Sequence, residues 1–399
     1  MQNNRKKITI LLTAALILLA LSSCGQTLEH AASVLTEISK DMPAEENTYT
    51  RIADVNEAMQ DVLRRGEETF EFNIADVTEE DLAHIADHMS TFWGEPKEYS
   101  VGSVFHDVEG IVPDKAVEVK RVTNTFALSN NYYVYEYIRG GVPIPEDQPR
   151  AKEIAGVLES LETEIFAGSD GTAWGQTLAA HDWLVANLDY DENTPEFSDQ
   201  NGSYGALVDK RTMCQGYAEA LELILRCYTD IEVTQVVGDA QGNVISDDYS
   251  GWIGHAWNAV LLDGQWVHID ATFDDPRGNP EGAVSHFYFA QNDAVMSADH
   301  RWQSGYFPIC DGGNFPYFRN NNLFADDMAG FEEIVTGILS DSKPAQFEVA
   351  AVGVTLNEEN IQFMFKIDPD IGEVFWSEQT YGEIHVQTVE PGYEDEGTE

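Results

Sequence analysis

The chain reads as an α+β protein: a helix that begins at Cys214 packs on an antiparallel sheet that carries His255 and Asp270. Three observations predict this. Tyr217, Leu221, Ile224, Leu225 and Tyr228 follow Cys214 at three- and four-residue spacing, the period of an amphipathic helix. The runs "HAWNAVLL" and "QWVHIDATF" look like strands, and the Asp263-Gly264 between them is a strong signal for a two-residue hairpin. A second amphipathic helix, "AWGQTLAAHDWLVANL", precedes both.

The elements can be justified in order. Arg5, Lys6 and Lys7 lead an apolar run from Ile8 to Leu21, too short and wrongly flanked for a stable membrane span, so residues 1–23 read as a secretory signal. The ending Leu21-Ser22-Ser23-Cys24 resembles a bacterial lipobox, which implies cleavage before Cys24 and a lipid on its thiol. Residues 24–48 lack a core pattern and read as a tether. The length of 399 residues allows more than one domain. Over 49–145 we expect an α/β region: a helix in "RIADVNEAMQDVLRR", a strand in "ETFEFNI", a helix capped by Thr78, and a strand in "YYVYEYIRGG" that stops at Gly140-Gly141. Pro143, Pro145 and Pro149 mark a boundary. The domain with the cysteine and the hairpin then spans 146–322. After about Arg319, "NNNLFADD" reads as a loop, and in 323–399 "QFEVAAVGVTL", "IQFMFKI", "EVFWSEQ" and "EIHVQTV" predict a small β-rich region with a disordered acidic tail.

The chemistry lies in the middle domain. A cysteine at a helix start meets unpaired N–H groups and the positive end of the helix dipole, which favour thiolate. Cys227, mid-helix on the apolar face, has the placement of a structural cysteine. With Asp263-Gly264 as the loop, Leu262 faces Gln265, Trp257 faces Asp270 and His255 faces Thr272. Side chains alternate along strands, so His255 and Asp270 share a face as diagonal neighbours; a slip of one residue would separate them. His268 has the same parity and is a competing base, whereas Asn258 lies on the other face. Either His255 or Asp270 alone would ordinarily be a hydrogen-bonded structural residue. Together with Cys214 they make the set that covalent acyl transfer requires: nucleophile, base and orienting carboxylate.

From about Thr172 to Trp302 the chain resembles the transglutaminase-like core of the papain-like cysteine hydrolase superfamily, with secreted bacterial members as the best match. The matching pieces are "HDWLVANLDYD", "GSYGALVDKRTMCQGYAEAL", "GHAWNAVLLDGQWVHIDATFDDP" and "HFYFAQNDAVMSADHRW". The resemblance implies Cys214 as nucleophile, His255 as base and Asp270 as orienting acid, with attack on an amide and a thioester intermediate. Water as acceptor would make a peptidase or amidase; an amine would make a transamidase. The Cys214 backbone N–H is an oxyanion donor by geometry. Tyr204, whose place in "GSYGAL" resembles a family position, is an oxyanion or packing residue, and Trp257 is a further cleft candidate. The rival reading is a retired fold that serves as a binding or scaffold module.

Composition bounds the partners. Lys and Arg number 22 against 70 Asp and Glu, a formal net charge of −48, which excludes nucleic acid and leaves solubility or the steering of cationic substrates. Expected partners are a peptide or protein substrate and, through the anchor alone, a membrane at the extracytoplasmic face. Cys227 and Cys310 could pair in a disulfide, or both could stay reduced. No cofactor or metal motif is legible. "DYDEN" at 189–193 begins like a calcium loop but has Thr194 at the sixth position and Gln200 at the twelfth. His181, His286 and His300 read as structural.

Overall fold

The computed structural model describes residues 48–49, 51–75, 78, 92–104, 119–195, 198–241, 251–275 and 283–393. The signal-like segment, Cys24, the tether up to residue 47, the interior of the helix expected from Thr78 and the last six residues lie outside this set. Two compact units divide the chain, Met1–Ser129 and Asn130–Glu399.

The first unit contains β1 (Thr48–Tyr49), α1 (Ile52–Arg64), β2 (Thr69–Ala75), β3 (Gly94–Val104) and β4 (Val119–Leu128), with the strands in the order β1-β2-β4-β3. Ile52, Val55, Met59, Val62 and Leu63 form the buried stripe of α1, and Phe70, Phe72 and Ile74 alternate inward on β2.

The second unit opens with α2 (Asn130–Gly140), where the alternating tyrosines predict a strand. The helix wins because Asn131 and Val134, three residues apart, are the positions that become buried. Contacts of that kind override β-propensity. The glycines that look like a strand end are a helix stop: Gly141 has φ +65°, and Val142 N–H closes on Glu136 O at 3.1 Å. Next come α3 (Pro149–Ile165) and α4 (Ala173–Asn187), the latter capped by Thr172 Oγ1, which accepts from Gly175 N–H at 3.0 Å.

The short parallel pair β5 (Asp189–Tyr190) and β6 (Arg211–Thr212) leads into α5 (Cys214–Tyr228). The antiparallel sheet follows, built from β7 (Val233–Gln241), β8 (Trp252–Leu262), β9 (Gln265–Ile269), β10 (Phe289–Gln291) and β11 (His300–Arg301) in the order β10-β9-β8-β7-β11; α6 (Asp293–Met296) joins its last two strands. The β8–β9 register pairs Leu262 with Gln265 and Ala259 with His268, and Asp263 and Gly264 have φ 52° and 80°. Positive φ at both central residues is the hairpin geometry the Asp-Gly pair predicts. Helix α5 lies on this sheet, with Asn258 Nδ2 donating to Ala218 O at 3.0 Å.

The rest of the unit comprises α7 (Pro316–Asn320), β12 (Phe324–Ala325), α8 (Met328–Asp341), β13 (Phe347–Val352), α9 (Met364–Ile367), β14 (Ile371–Tyr381) and β15 (Ile384–Tyr393). Its sheet runs β12-β13-β15-β14. The expectation of a β-rich region needs correcting in three places. Helix α8 is capped by Asp327 and buries Phe331, Val335 and Leu339 at four-residue spacing against the sheet. "IQFMFKI" is a 3-10 turn running into α9, because Ile361 and Met364 bury at a spacing of three. Strand β15 continues through Tyr393, and Pro391 fits there because β13 pairs only as far as Val389.

Candidate active site

Cys214 is the first residue of α5 and is half-buried; Met213 before it offers no capping side chain to the first-turn amides. His255 on β8 places Nε2 2.6 Å from Asp270 Oδ2. Asp270 follows directly on β9, and its other oxygen, Oδ1, accepts the N–H groups of Thr272 and Phe273 at 3.0 and 3.1 Å. A second imidazole shares the carboxylate: His300 Nε2 lies 3.0 Å from Asp270 Oδ2, and His300 Nδ1 lies 2.7 Å from Asp299 Oδ1. Tyr288 O–H donates to Asp299 Oδ2 at 2.6 Å. The His255, Asp270 and His300 side chains are fully buried.

Charge sets the state of these groups. Burial opposes a charge on His255, but the Asp270 carboxylate and the Cys214 sulfur outweigh it and push the imidazole up to about 10. Burial also opposes the Asp270 charge, and His255 and His300 reverse that and hold the carboxyl below the usual range. With Nε2 given to Asp270, His255 Nδ1 makes no hydrogen bond of full geometry among the described residues, although Cys214 is near enough to help charge the ring by its charge and by a side-chain hydrogen bond. Catalytic contacts are often open in the absence of substrate. The group can store a proton beside a sulfur at a helix start.

Residues 159–271 match the family model described as the transglutaminase-like superfamily. That stretch is similar to the transglutaminase-like superfamily, and the fold is α+β of the transglutaminase-like, papain-like kind. The matched stretch holds Cys214, His255 and Asp270. The kyphoscoliosis peptidases of Mus musculus and Homo sapiens are each 28% identical over 127 residues, covering 30% of this chain and 19% of their own length. The chain thus matches about a fifth of the length of those relatives. A solved Cytophaga hutchinsonii protein, provisionally described as a cysteine protease, aligns at 14% identity over 51% of this chain and 71% of its own, with a TM-score of 0.25.

Within the matched stretch the other candidates fall elsewhere. Trp257, the further cleft candidate, is buried, and its indole N–H donates to His268 Nδ1 at 3.0 Å, so that donor is not free for an oxyanion. His268 is the rival base, but its Nδ1 accepts that bond and its Nε2 meets Asp293 Oδ1 at 2.8 Å; burial lowers its pKa. Both its nitrogens are committed. Tyr204 donates its hydroxyl to Glu153 at 2.7 Å under the Arg150 guanidinium.

The disulfide considered for Cys227 and Cys310 is not formed; both are buried free thiols. Cys227 faces the α5 core, while the Cys310 N–H is held by Asp293 at 3.2 Å. Asp191, in the calcium-like run, accepts from Asn193 N–H at 3.0 Å and pairs with Arg211. His300, which the sequence marks only as a structural histidine, is a second partner of Asp270. It stands 30 residues from Asp270 with no local pattern, and only the antiparallel pairing of β11 with β7 brings it back.

Proposed function

We propose that the chain is a cysteine acyl transferase or hydrolase acting on peptide or protein amides, with Cys214 as nucleophile, His255 as base and Asp270 as orienting acid. The observation that carries this is the 2.6 Å bond from His255 Nε2 to Asp270 Oδ2, which leaves Nδ1 open on a ring that senses Cys214. His255 takes the thiol proton and Cys214 attacks the amide carbonyl. The oxyanion that forms is met by N–H groups at the start of α5, which Met213 leaves uncapped. Collapse expels an amine that takes its proton from His255, and the thioester passes its acyl group to water or to a second amine. Asp270 keeps the imidazole in one tautomer throughout.

The test is alkylation with iodoacetamide across pH on a form beginning at Gly25, read peptide by peptide. Burial pushes Cys227 up to about 12 and also raises Cys310, so both thiols stay protonated and enclosed. Modification should therefore be confined to Cys214, slow markedly in His255→Ala, and abolish amide turnover in proportion. Cys214→Ala should lose activity and keep its fold. An unreactive Cys214, or full turnover in Cys214→Ala, would overturn the assignment in favour of a binding module.

A further inference from the structure

A second group of imidazoles and carboxylates shares no member with Cys214, His255 and Asp270. His181 and Asp182 lie on α4, Asp274 follows the hairpin, His286 precedes β10, and Glu348 lies on β13. His181 Nδ1 is 2.9 Å from Asp182 Oδ1, and His286 Nε2 is 3.1 Å from the same oxygen. Behind each ring stands another carboxylate: Asp274 Oδ2 is 3.2 Å from His181 Nε2, and Glu348 Oε2 is 2.9 Å from His286 Nδ1. Backbone amides fix both rear carboxylates, from Tyr288 N–H to Asp274 Oδ1 at 2.9 Å and from His286 N–H to Glu348 Oε2 at 3.1 Å.

A neutral imidazole has one N–H. Given to the rear carboxylate, it leaves a lone pair on the front nitrogen. Two such lone pairs and one carboxylate oxygen then converge on a single point, which is repulsive unless positive charge lies between them. Two protons could supply it, or one metal ion. We infer that His181 Nδ1, His286 Nε2 and the Asp182 carboxylate bind one divalent transition-metal ion of the zinc class, with Asp274 and Glu348 as the carboxylates behind the two rings.

The dimensions fit. Zinc bonds of about 2.0–2.1 Å in a tetrahedron put neighbouring donors about 3.3 Å apart. The two measured edges are 2.9 and 3.1 Å, and all three donor atoms lie within 4.8 Å of one another. A carboxylate on the far nitrogen of each histidine is the usual support of a metal-binding imidazole, because it fixes the tautomer and makes the ring a better donor. The Asp182 side chain is 39% exposed, which opens one side of the site to ion and water, while His181 is sealed. A dication would also offset two of the three carboxylate charges.

The other His-carboxylate groups suit an ion less well. His268 accepts the Trp257 N–H on Nδ1, so its Nε2 holds the proton, and an ion on His255, Asp270 and His300 would occupy the proposed catalytic group.

The test is titration of the chelator-stripped full chain with Zn²⁺, and with Co²⁺ for its spectrum. Wild type and Cys214→Ala should each bind one equivalent, show the visible bands of four-coordinate Co²⁺, and gain thermal stability with added Zn²⁺. Asp182→Asn should weaken binding by more than about 100-fold, and Glu348→Gln, which keeps every ligand, by about 10–100-fold. Circular dichroism in chelator separates a lost site from a lost fold, and Glu348→Gln carries the test if Asp182→Asn does not fold. The inference is overturned if no stoichiometric binding occurs. It is equally overturned if binding survives both substitutions, or is lost instead in His255→Ala.

Discussion

Asp270 is the side chain on which the site turns, because one carboxylate serves two imidazoles and two backbone amides. Asp270→Asn keeps the size and can still accept from Thr272 and Phe273, but it removes the anion and offers one ring an N–H where it needs an acceptor. Turnover should fall by about 10³–10⁴-fold with the fold retained, as expected when an orienting acid is neutralised. The pH dependence of stability should change as well. His255 is raised from 6.5 to about 10, so its contribution is complete below about 6.5 and is lost as pH rises through 10. Asp270 is depressed, so its share is present above its ordinary 3.8 and is lost only as pH falls well below that. Stability measured by denaturant unfolding of the wild type should therefore fall between about pH 6.5 and 10, and Asp270→Asn should lose the His255 share of that slope while keeping the share from His286, which Asp182 and Glu348 also raise to about 10. Equal slopes in the two proteins would show that the pair does not stabilise the fold. His255 and Asp270 were legible in the sequence because a two-residue hairpin fixes register. His300 was not, because no local rule connects β11 to the hairpin.

Among the elements, α5 converts a sequence period into a placed sulfur. Its apolar spacing and its cysteine start could be read directly, but what fixes its first turn could not. Gly216 sits where an added Cβ would come within 2.0 Å of Thr212 Oγ1 and 2.6 Å of Thr212 Cγ2. Thr212 cannot swing aside: it is buried, β-branched, and donates to Gln200 O at 2.9 Å. Gly216→Ala must therefore shift the first turn of α5, two residues from Cys214. It should destabilise the protein by about 1–3 kcal/mol, the range for overpacking, and slow Cys214 alkylation. A denaturation midpoint and an alkylation rate both equal to wild type would mean that the turn is not held this way. Helix α2 shows the limit of pattern reading, since its tyrosines alternate like a strand while burial of Asn131 and Val134 selects the helix. Helix α8 shows the same for position, since Phe331, Val335 and Leu339 follow a segment that reads as loop.

At the scale of the whole molecule, the order of segments joins the proposed chemistry to a place. A signal-like start and Cys24 precede β1 in the sequence, so we propose that the mature chain is held at the outer face of a membrane by a lipid on Cys24. Net charge argues that this lipid would be the whole attachment. Residues 1–23 hold three of the 22 bases and none of the 70 acids, so the mature chain has 19 bases and a net charge of −51; it is repelled by anionic headgroups and lacks the clustered Lys and Arg that draw proteins to them. One acyl group gives only marginal, reversible binding, so a stable anchor requires more than one chain on the cysteine. Cys24→Ser should therefore move the protein wholly from the membrane to the soluble fraction, at low salt as well as high. Amide turnover by the released protein should match that of the form beginning at Gly25. A variant that stays with the membrane would place the attachment elsewhere in the chain. If wild type is already soluble after export, Cys24 is an ordinary residue behind an ordinary signal.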